Sequence, residues 1–349
     1  MDPILDALQE LTAQYGATVV LCSATLPEYS DTPYGSNWPR AYDIVAQPER
    51  HFEALRRVRY QLPAGETSWE GVAGWMAAEP QCMAVANTRN DALALVEALD
   101  DPDILHLSTW LCGKHRREVL DQVRQRLNDR LPCRLVATQV VEAGVDVDFP
   151  VVFRALGPLD RIVQAAGRCN REGNLEYGRV IIFKPEGNHA PPGEYRSGID
   201  ATQRLFNQKI TDLDSPATHR RYFKEWYSSV ETDKKGIQNL RREFRFNQVA
   251  KEFHLIGEES IPVVVGYQMS DPAQQALTRV RQEGHITREQ LRLLQPYLVG
   301  LREREAARLE QDTLIRPLIE SGGLWEWVGE YDRRLGIGRS RPDPGQWIV

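Results

Sequence analysis

Short apolar runs alternate with amphipathic stretches over residues 82–184, and this alternation constrains the fold more than any other feature of the chain. The apolar runs have the length of buried strands: CMAVAN, ILHL, CRLVAT, VVFRA and RVIIF. The stretches between them have helical spacing at residues 89–99, 114–127 and 161–169. Strands that alternate with helices predict a parallel sheet covered by helices, whose ligands gather at the carboxyl ends of the strands.

The segment before this alternation predicts a helix and one more strand. Residues 3–15 have apolar positions at helical spacing, and Gly16 ends the helix. ATVVLCSAT, residues 17–25, is a continuous apolar run of the kind that a buried parallel strand needs. Residues 27–45 are rich in Pro, Gly, Asn and Asp and predict a loop or linker.

The segment after the alternation predicts helices and then a second, smaller domain. Residues 185–197 are rich in Pro and Gly, and helical patterns follow from about 199 to 230. Four aromatic residues lie in that helical region, and their spacing favours packing in a core over stacking on nucleic-acid bases: Tyr222, Phe223, Trp226 and Tyr227. The last hundred residues mix strands (IPVVVGY, YLVGL) with helices, which predicts an α+β domain in which Trp325 and Trp327 pack.

Composition is that of an ordinary globular protein. The chain has 349 residues, a net charge of -6, 42% hydrophobic and 26% charged residues, which predicts two or three domains. The acidic total does not exclude nucleic-acid binding, since this depends on a local basic face. Five scattered cysteines predict reduced thiols in the cytoplasm, and no apolar run is long enough to predict a membrane span.

VATQVVEAGVDVDF, residues 136–149, places polar groups directly after a buried strand. The hydroxyl of Thr138 and exposed backbone amides suit phosphate contacts, and Gly144 permits close approach of the backbone. Asp146 is an acceptor for a ribose hydroxyl or a partner that orients an arginine. A plain junction between a strand and a loop is the alternative interpretation.

DRIVQAAGRCNREG, residues 160–173, carries two arginines three residues apart. Gln164, Gly167, Arg168 and Arg171 stand at i, i+3, i+4 and i+7, which predicts one stripe of a helix and its end. A guanidinium is planar, permanently charged and bidentate toward phosphate oxygens, so both arginines can reach one polyphosphate. A solvated basic turn with a capping role is the alternative.

Four short motifs in a fixed order resemble those of superfamily 2 helicases: SAT (23–25), NTR (87–89), the 144–146 segment and QxxGRxxR (164–171). More narrowly, the chain resembles the CRISPR-associated helicase–nuclease of type I systems. That resemblance rests on LCSATLP, LSTWLCGKHRREVL, VVEAGVDVDFPVVFR and QAAGRCNREG, and in the tail on IPVVVGY, LRLLQPYLVGL and YDRRLGIG. It implies an α/β fold, with a second RecA-like lobe followed by a smaller α+β accessory domain.

The resemblance also implies a division of the chain into five parts. Residues 1–30 end the first RecA-like lobe, residues 31–50 link the lobes, and residues 51–197 form the second lobe. Residues 198–240 form a helical linker, and residues 241–349 form the accessory C-terminal domain.

Residue roles follow from the same resemblance. Gln164, Arg168 and Arg171 face ATP across the interlobe cleft as catalytic groups, and Asp146 and Gly144 belong to the nucleotide-facing loop. Ser23 and Thr25 couple the nucleotide state to the grip on nucleic acid. Thr88 and Thr138 touch the backbone of single-stranded DNA. Arg116 lies near the nucleic acid, although a solvated charged helix explains it nearly as well.

The motifs that hold phosphate and metal are missing from this sequence. A phosphate-cradling loop needs GxxxxGK[ST], whereas Gly113-Lys114 is followed by His115 and lacks the earlier glycine. The sequence has no Asp-Glu dipeptide for magnesium and no His-Asp dipeptide for a metal nuclease. We therefore expect ATP and Mg²⁺ in the intact enzyme, no metal on this chain, and no activity from this chain alone. A fragment, one gene of a split enzyme and a truncated binding module all remain open.

The expected function is that of the C-terminal portion of an ATP-dependent translocase on single-stranded DNA in CRISPR antiviral defence. Its expected partners are single-stranded DNA, the RNA-guided surveillance complex and the N-terminal helicase–nuclease part, with no membrane. One alternative is a non-catalytic docking or regulatory module for the surveillance complex or for an inhibitor protein. Another is a different superfamily 2 helicase that acts on DNA or RNA.

Overall fold

The computed structural model describes residues 1–25, 27, 42, 44–142, 144–187, 190–191, 193–254, 260–319 and 323–338. The helices there are α1 Asp2–Gln14, α2 Pro48–Ala54, α3 Trp69–Ala77, α4 Arg89–Leu99, α5 Gly113–Asn128, α6 Leu159–Ala166, α7 Glu194–Asn207, α8 Pro216–Tyr227, α9 Ile237–Arg242, α10 Phe246–Glu252, α11 Asp271–Glu283, α12 Arg288–Leu294 and α13 Glu303–Gln311. The strands are β1 Val58–Gln61, β2 Glu66–Thr67, β3 Gln81–Val85, β4 Leu105–Leu107, β5 Cys133–Ala137, β6 Val151–Ala155, β7 Gly178–Pro185, β8 Ile261–Val264, β9 Leu298–Leu301, β10 Ile315–Pro317 and β11 Trp325–Trp327.

Packing divides the chain into two compact units. The first unit comprises Met1–Ser68 and Asp148–Gly257, and the second comprises Trp69–Val147 and Glu258–Val349. The second unit therefore combines strands β3, β4 and β5 with most of the predicted accessory domain. The five-part division expected from the sequence stays a prediction.

The first unit is built on β7, which pairs in parallel with β1, β2 and β6. Its GRVIIFKP sequence is almost wholly buried, as a strand with neighbours and helices around it requires. Helices α6, α7 and α8 cover it with a hydrophobic core that includes Leu159, Ile182 and Leu205. Tyr222 and Phe223 lie in this core and Trp226 and Tyr227 pack against it, so the predicted packing role of these aromatics is confirmed.

The second unit has β5 between β3 and β4, and both pairings are parallel. Val85 and Leu107 are each in register with Ala137, so the three strands end at the same level. All five residues of CRLVA are buried or half-buried, as a central strand requires. The predicted α/β class, with parallel strands covered by helices, is confirmed.

A four-stranded mixed sheet completes the second unit in the order β10-β11-β8-β9. Strand β8 pairs in parallel with β11 and antiparallel with β9, while β10 and β11 are antiparallel. Its core contains Val263 and Trp327, with Trp325 packed against them. The predicted α+β character of the tail and the packing of both tryptophans are confirmed.

The predicted strand at residues 17–25 is wrong. Residues 17–25 form no strand, and most of their side chains are exposed, including Val20 at 64%. An apolar run becomes a parallel strand only when neighbouring strands accept and donate its backbone hydrogen bonds, and no described strand pairs with it. The helix before it is confirmed as α1. Most of the predicted linker at 27–45 lies outside the described residues.

The cysteines agree with a further expectation. All five cysteines are free thiols, and four of them are buried: Cys82, Cys112, Cys133 and Cys169. Among the helices that the structure describes, none has the length and apolar character needed to cross a membrane.

Candidate functional site

Helix α6 ends at Ala166 rather than at residue 169, so the predicted helical stripe is wrong in its second half. Gly167 caps the helix, and the chain then turns back along Phe149. The N–H of Phe149 donates to the carbonyl of Arg168 at 2.9 Å, and the N–H of Asn170 donates to the carbonyl of Phe149 at 3.0 Å. These bonds compete with helical ones, and they place Arg168 and Arg171 in a loop.

Asp148 holds that loop through two hydrogen bonds to its backbone. Its carboxylate accepts the backbone N–H of Arg171 at 2.7 Å and the N–H of Glu172 at 3.2 Å. The guanidinium of Arg57 donates to the carbonyl of Arg171. The backbone N–H and the backbone carbonyl of Arg171 are therefore both held, while the residue as a whole is exposed. A held backbone and an exposed arginine suit contact with an anion.

We call the loop that follows α6 and carries Arg168 and Arg171 the arginine loop. Asn170 is its buried anchor. It is 2% exposed and has a φ of 47°. Its Nδ2 donates to the carbonyls of Arg57 at 3.0 Å and Leu175 at 2.8 Å, and its Oδ1 accepts the N–H of Leu175 at 2.9 Å. Asparagine tolerates this left-handed backbone because its amide bonds locally.

Gly178 supplies the space that Asn170 and Cys169 occupy. A Cβ at Gly178 would lie 2.5 Å from Cys169 Sγ and 2.8 Å from Asn170 Cβ. Burial raises the pKa of the Cys169 thiol to about 12, and the nearby Asp148 acts in the same direction, so this thiol is neutral and packs as an apolar group. Sequence reasoning missed these anchors: Arg57, Asp148, Asn170 and Gly178.

Gln164 stands on α6, one turn before the arginine loop. It is half-buried, and its Oε1 accepts from Arg161 Nη1 at 3.4 Å. The first unit thus brings Gln164, Arg168 and Arg171 together on one short segment, with Arg168 half-buried and Arg171 exposed. Two guanidiniums and an amide form a donor set that suits phosphate oxygens.

Thr138 and Thr88 follow two adjacent strands of the second unit. Thr138 directly follows β5, is 4% exposed, and its N–H donates to the carbonyl of Leu107 at 3.1 Å. Thr88 caps α4 by accepting the N–H of Asp91 at 3.0 Å. Gln139 Nε2 donates to the carbonyl of Asn87 at 2.6 Å, which ties the two strand ends together. Thr88 and Thr138 therefore lie near the ends of two adjacent strands of the second unit, and their contact with DNA stays a prediction.

Gly144 and Asp146 lie in the loop that follows β5. Gly144 has a φ of 70°, a left-handed value that favours glycine, and no atom lies within 4 Å of a Cβ built there. Asp146 is exposed, and its backbone carbonyl accepts from Arg124 Nε at 3.3 Å. The glycine thus serves the turn itself, and the open space beside it leaves room for a ligand.

Arg116 lies on α5, whose buried face carries His115. The His115 ring stacks on Tyr267 with centroids 4.3 Å apart, and its Nδ1 lies 3.1 Å from the hydroxyl of Tyr331. Burial lowers the pKa of His115, so the ring is neutral and helix α5 is held to the tail by packing. Arg116 is half-buried and forms no side-chain hydrogen bond or ion pair within the described part of the chain.

Ser23 and Thr25 form a local turn in the first unit. The N–H of Thr25 donates to Ser23 Oγ at 3.2 Å, and Ser23 Oγ donates to the carbonyl of Thr25 at 3.3 Å. Thr25 is 5% exposed, whereas Ser23 is exposed. Over the residues that the structure describes, no group of three or more His, Cys, Asp or Glu side chains is arranged to hold a metal ion.

Comparison with known proteins finds a matching family for part of the chain. Residues 79–174 match the model of the C-terminal region of the CRISPR-associated nuclease/helicase Cas3. Over this segment the chain is similar to the C-terminal region of Cas3 proteins. The predicted resemblance is confirmed, and the matched segment contains Thr88, Thr138, Gln164, Arg168 and Arg171.

Two curated relatives have the same name. The Cas3 of Methanothermobacter thermautotrophicus is 23% identical over 215 residues, which cover 57% of this chain and 26% of that protein. The Cas3 of Haloferax volcanii is 48% identical over 70 residues, which cover 19% of this chain and 8% of that protein. The chain thus matches about a quarter of the first relative and less of the second.

Two solved structures share the fold. T. fusca Cas3 with AMPPNP has a TM-score of 0.53 at 19% identity, covering 78% of this chain and 39% of that one. A chain of a structure described as a CRISPR RNA-guided surveillance complex, pre-nicking, has a TM-score of 0.51 at 18% identity, covering 80% of this chain and 44% of that one. At these identities the likeness shows a Cas3-type RecA-like fold.

Proposed function

We propose that this chain supplies the arginine fingers and part of the DNA track of an ATP-dependent, single-stranded-DNA translocase of CRISPR defence. The observation that carries the proposal is the arginine loop, in which Asp148 accepts the backbone N–H of Arg171 and Arg171 itself is an exposed residue. Loops that only connect elements do not require a carboxylate, a buried asparagine and a glycine to hold one arginine in place.

The nucleotide role follows from the chemistry of the arginine loop. Negative charge builds up on the oxygen between the β- and γ-phosphates as the bond to the γ-phosphorus breaks. A positioned arginine stabilises this transition state and raises the rate ~10³–10⁵-fold. Arg171 is the finger, Arg168 binds the same polyphosphate, and Gln164 orients the attacking water or the phosphate. Asp146 contacts the nucleotide from the Gly144 loop. We assign ATP and Mg²⁺ to the intact enzyme that includes the proposed N-terminal part, which is supported by a fold relative solved with an ATP analogue.

The DNA role follows from the strand ends. Thr88 and Thr138 directly follow or lie close to the ends of the adjacent strands β3 and β5, and Arg116 adds a cation from α5. Such groups contact phosphates without reading bases, which suits a motor that moves along any sequence. Ser23 and Thr25 couple the binding and hydrolysis of ATP to these contacts with DNA. The surveillance complex and the N-terminal helicase–nuclease part are the proposed partners, since a fold relative belongs to such a complex.

The test is the DNA-stimulated ATPase activity of this chain combined with the proposed N-terminal helicase–nuclease part. We expect Arg171→Ala to lower kcat ~10³-fold, with single-stranded-DNA affinity nearly unchanged. Glu172→Ala is the matched control, because Glu172 is exposed and its peptide bonds to the same Asp148. Equal kcat values for Arg171→Ala and Glu172→Ala would refute the role of Arg171 as an arginine finger.

The isolated chain provides a second test. It lacks a phosphate-cradling loop, so we expect no measurable ATP turnover with or without DNA. Clear turnover that Arg171→Ala abolishes would contradict the proposed dependence on the N-terminal part.

A further inference from the structure

A corner between α9 and α10 exposes two phenylalanines beside arginines. Helix α9 ends at Arg242, and the N–H groups of Phe244 and Arg245 donate to the carbonyls of Arg241 at 3.0 Å and Leu240 at 2.9 Å. This is the Schellman pattern of helix termination, in which glycine usually takes the left-handed position. Here Phe244 takes it, with a φ of 59°.

Phenylalanine is an unfavourable residue at this position. Its Cβ strains a left-handed backbone, and its ring is 78% exposed, so folding recovers little from burying it. Phe246 is 59% exposed, and the two rings meet edge to face with centroids 6.0 Å apart. Folding gains little from an aromatic pair that is exposed and partly strained, which points to a ligand.

The charges beside the rings indicate which ligand. Arg241 faces inward and is held by Asp6 and Glu10 of α1. Arg242 forms no ion pair within the described residues, and Arg245 only approaches Glu243 at 3.4 Å with both side chains more than half exposed. Exposed pairs of this kind are weak, so both guanidiniums are available to an anion. An apolar protein partner would need the rings but not the arginines.

We propose that Phe244 and Phe246, with Arg242 and Arg245, form a binding site for single-stranded nucleic acid. Bases stack on the two rings, and the guanidiniums bind phosphates on either side. We call these four residues the aromatic corner. The corner is separate in sequence and fold from Thr88, Thr138 and Arg116. The choice of DNA as the strand rests on the proposed function, whereas the stacking chemistry rests on the corner itself.

The test measures binding of a fluorescent oligo(dT) of about 30 nucleotides to the whole 349-residue chain at low salt. Phe244→Gly is the informative variant. It relieves the left-handed strain, so we expect a higher Tm together with a Kd raised about five-fold or more. Phe246→Ala is expected to weaken binding similarly. Arg242→Ala and Arg245→Ala are each expected to reduce the salt slope of log K by about 0.7.

Tyr15→Ala and Arg308→Ala are the matched controls, since these side chains are 75% and 83% exposed and lie outside the corner. Arg116→Ala separates the two proposals. If Arg116→Ala weakens binding and both phenylalanine variants bind as the unchanged chain does, the corner is refuted and the proposed track stands. The opposite result supports the corner and counts against the track. Absence of any binding by the unchanged chain also refutes the corner, because all of its residues lie in this chain.

Discussion

The guanidinium of Arg89 lies 2.7 Å from one carboxylate oxygen of Glu305, and the indole N–H of Trp110 donates to the other at 3.0 Å. The Arg89 guanidinium also lies 5.0 Å from the Trp110 ring centroid. Arg89 follows Thr88 directly, and Glu305 belongs to α13 of the tail. Within the second unit, one carboxylate therefore connects the tail to the residue next to a proposed DNA contact.

We expect Glu305→Ala to lower the free energy of unfolding by roughly 1–2 kcal/mol, because it leaves a half-buried arginine and an indole N–H without their acceptor. Equilibrium urea unfolding measures this, with exposed Glu303→Ala on the same helix as the control. A double-mutant cycle with Arg89→Ala should give a coupling energy above about 0.5 kcal/mol. Additive effects of the two substitutions would show that the ion pair contributes nothing.

Gly336 packs against the backbone of Trp110. A Cβ there would lie 2.2 Å from the Trp110 carbonyl oxygen, and the φ of 68° is itself unfavourable for other residues. We expect Gly336→Ala to destabilise the second unit by more than about 3 kcal/mol in urea unfolding. Gly284→Ala is the control, since its φ is 66° with no atom within 4 Å, and it should cost about 1 kcal/mol. Equal losses of unfolding free energy in the two variants would show that contact with the Trp110 carbonyl does not destabilise Gly336→Ala.

The regular part of the fold was predictable because it depends on local patterns. Apolar runs and helical spacing placed α4 at its observed bounds, and they placed β3, β5, β6 and β7 nearly so. Residues 17–25 show where this fails. An apolar run carries no information on whether a neighbouring strand is present to pair with it, and pairing decides whether it becomes a strand.

The arginines of the candidate site were predictable, but their support was not. Charge and spacing single out Arg168 and Arg171 because guanidiniums suit phosphate. Asp148 and Asn170 act through contacts with residues distant in the sequence, such as the carbonyl of Arg57. The i, i+4 spacing even predicted the wrong geometry, since bonds to Phe149 end the helix early. Asn170 is distinguished by its burial, by its hydrogen bonds with Arg57 and Leu175 and by its positive φ, none of which a sequence displays.

His106 should make stability depend on pH. It is 2% exposed, and burial lowers its pKa from 6.5 to about 4, with His115 and Arg334 acting in the same direction. The unfolded chain therefore binds a proton between these values that the folded chain does not. The contribution of His106 to the free energy of unfolding is therefore complete above about pH 6.5. It decreases by about 3 kcal/mol as the pH falls toward 4.

His106→Gln tests this, because the glutamine amide replaces the ring nitrogen that lies 2.9 Å from Ser108 Oγ and does not titrate. Urea unfolding at several pH values should show a weaker loss of stability on acidification than in the unchanged chain. His115 and His219 also have lowered pKa values, so part of the slope should persist. Identical slopes would show that His106 is not the group responsible.

Asp148→Ala should loosen the arginine loop without unfolding the protein. The carboxylate binds the N–H groups of Arg171 and Glu172 at an exposed loop, so water replaces it and the cost in stability is modest, about 1 kcal/mol. Hydrogen exchange at these two amides should become faster in the isolated chain. Glu176→Ala, at an 87% exposed side chain of the same loop, should leave both amides unchanged.

On the proposed function, Asp148→Ala should lower the DNA-stimulated kcat of this chain combined with the proposed N-terminal part by about 10–100-fold, because an arginine finger stabilises the transition state only when its position is fixed beforehand. The loss should be smaller than that from Arg171→Ala, since the guanidinium is still present and reaches the phosphate part of the time. Combining the two substitutions should cost no more than Arg171→Ala alone, because Asp148 acts through Arg171. A further loss in the double variant would give Asp148 a role of its own in the chemistry and contradict the positioning argument.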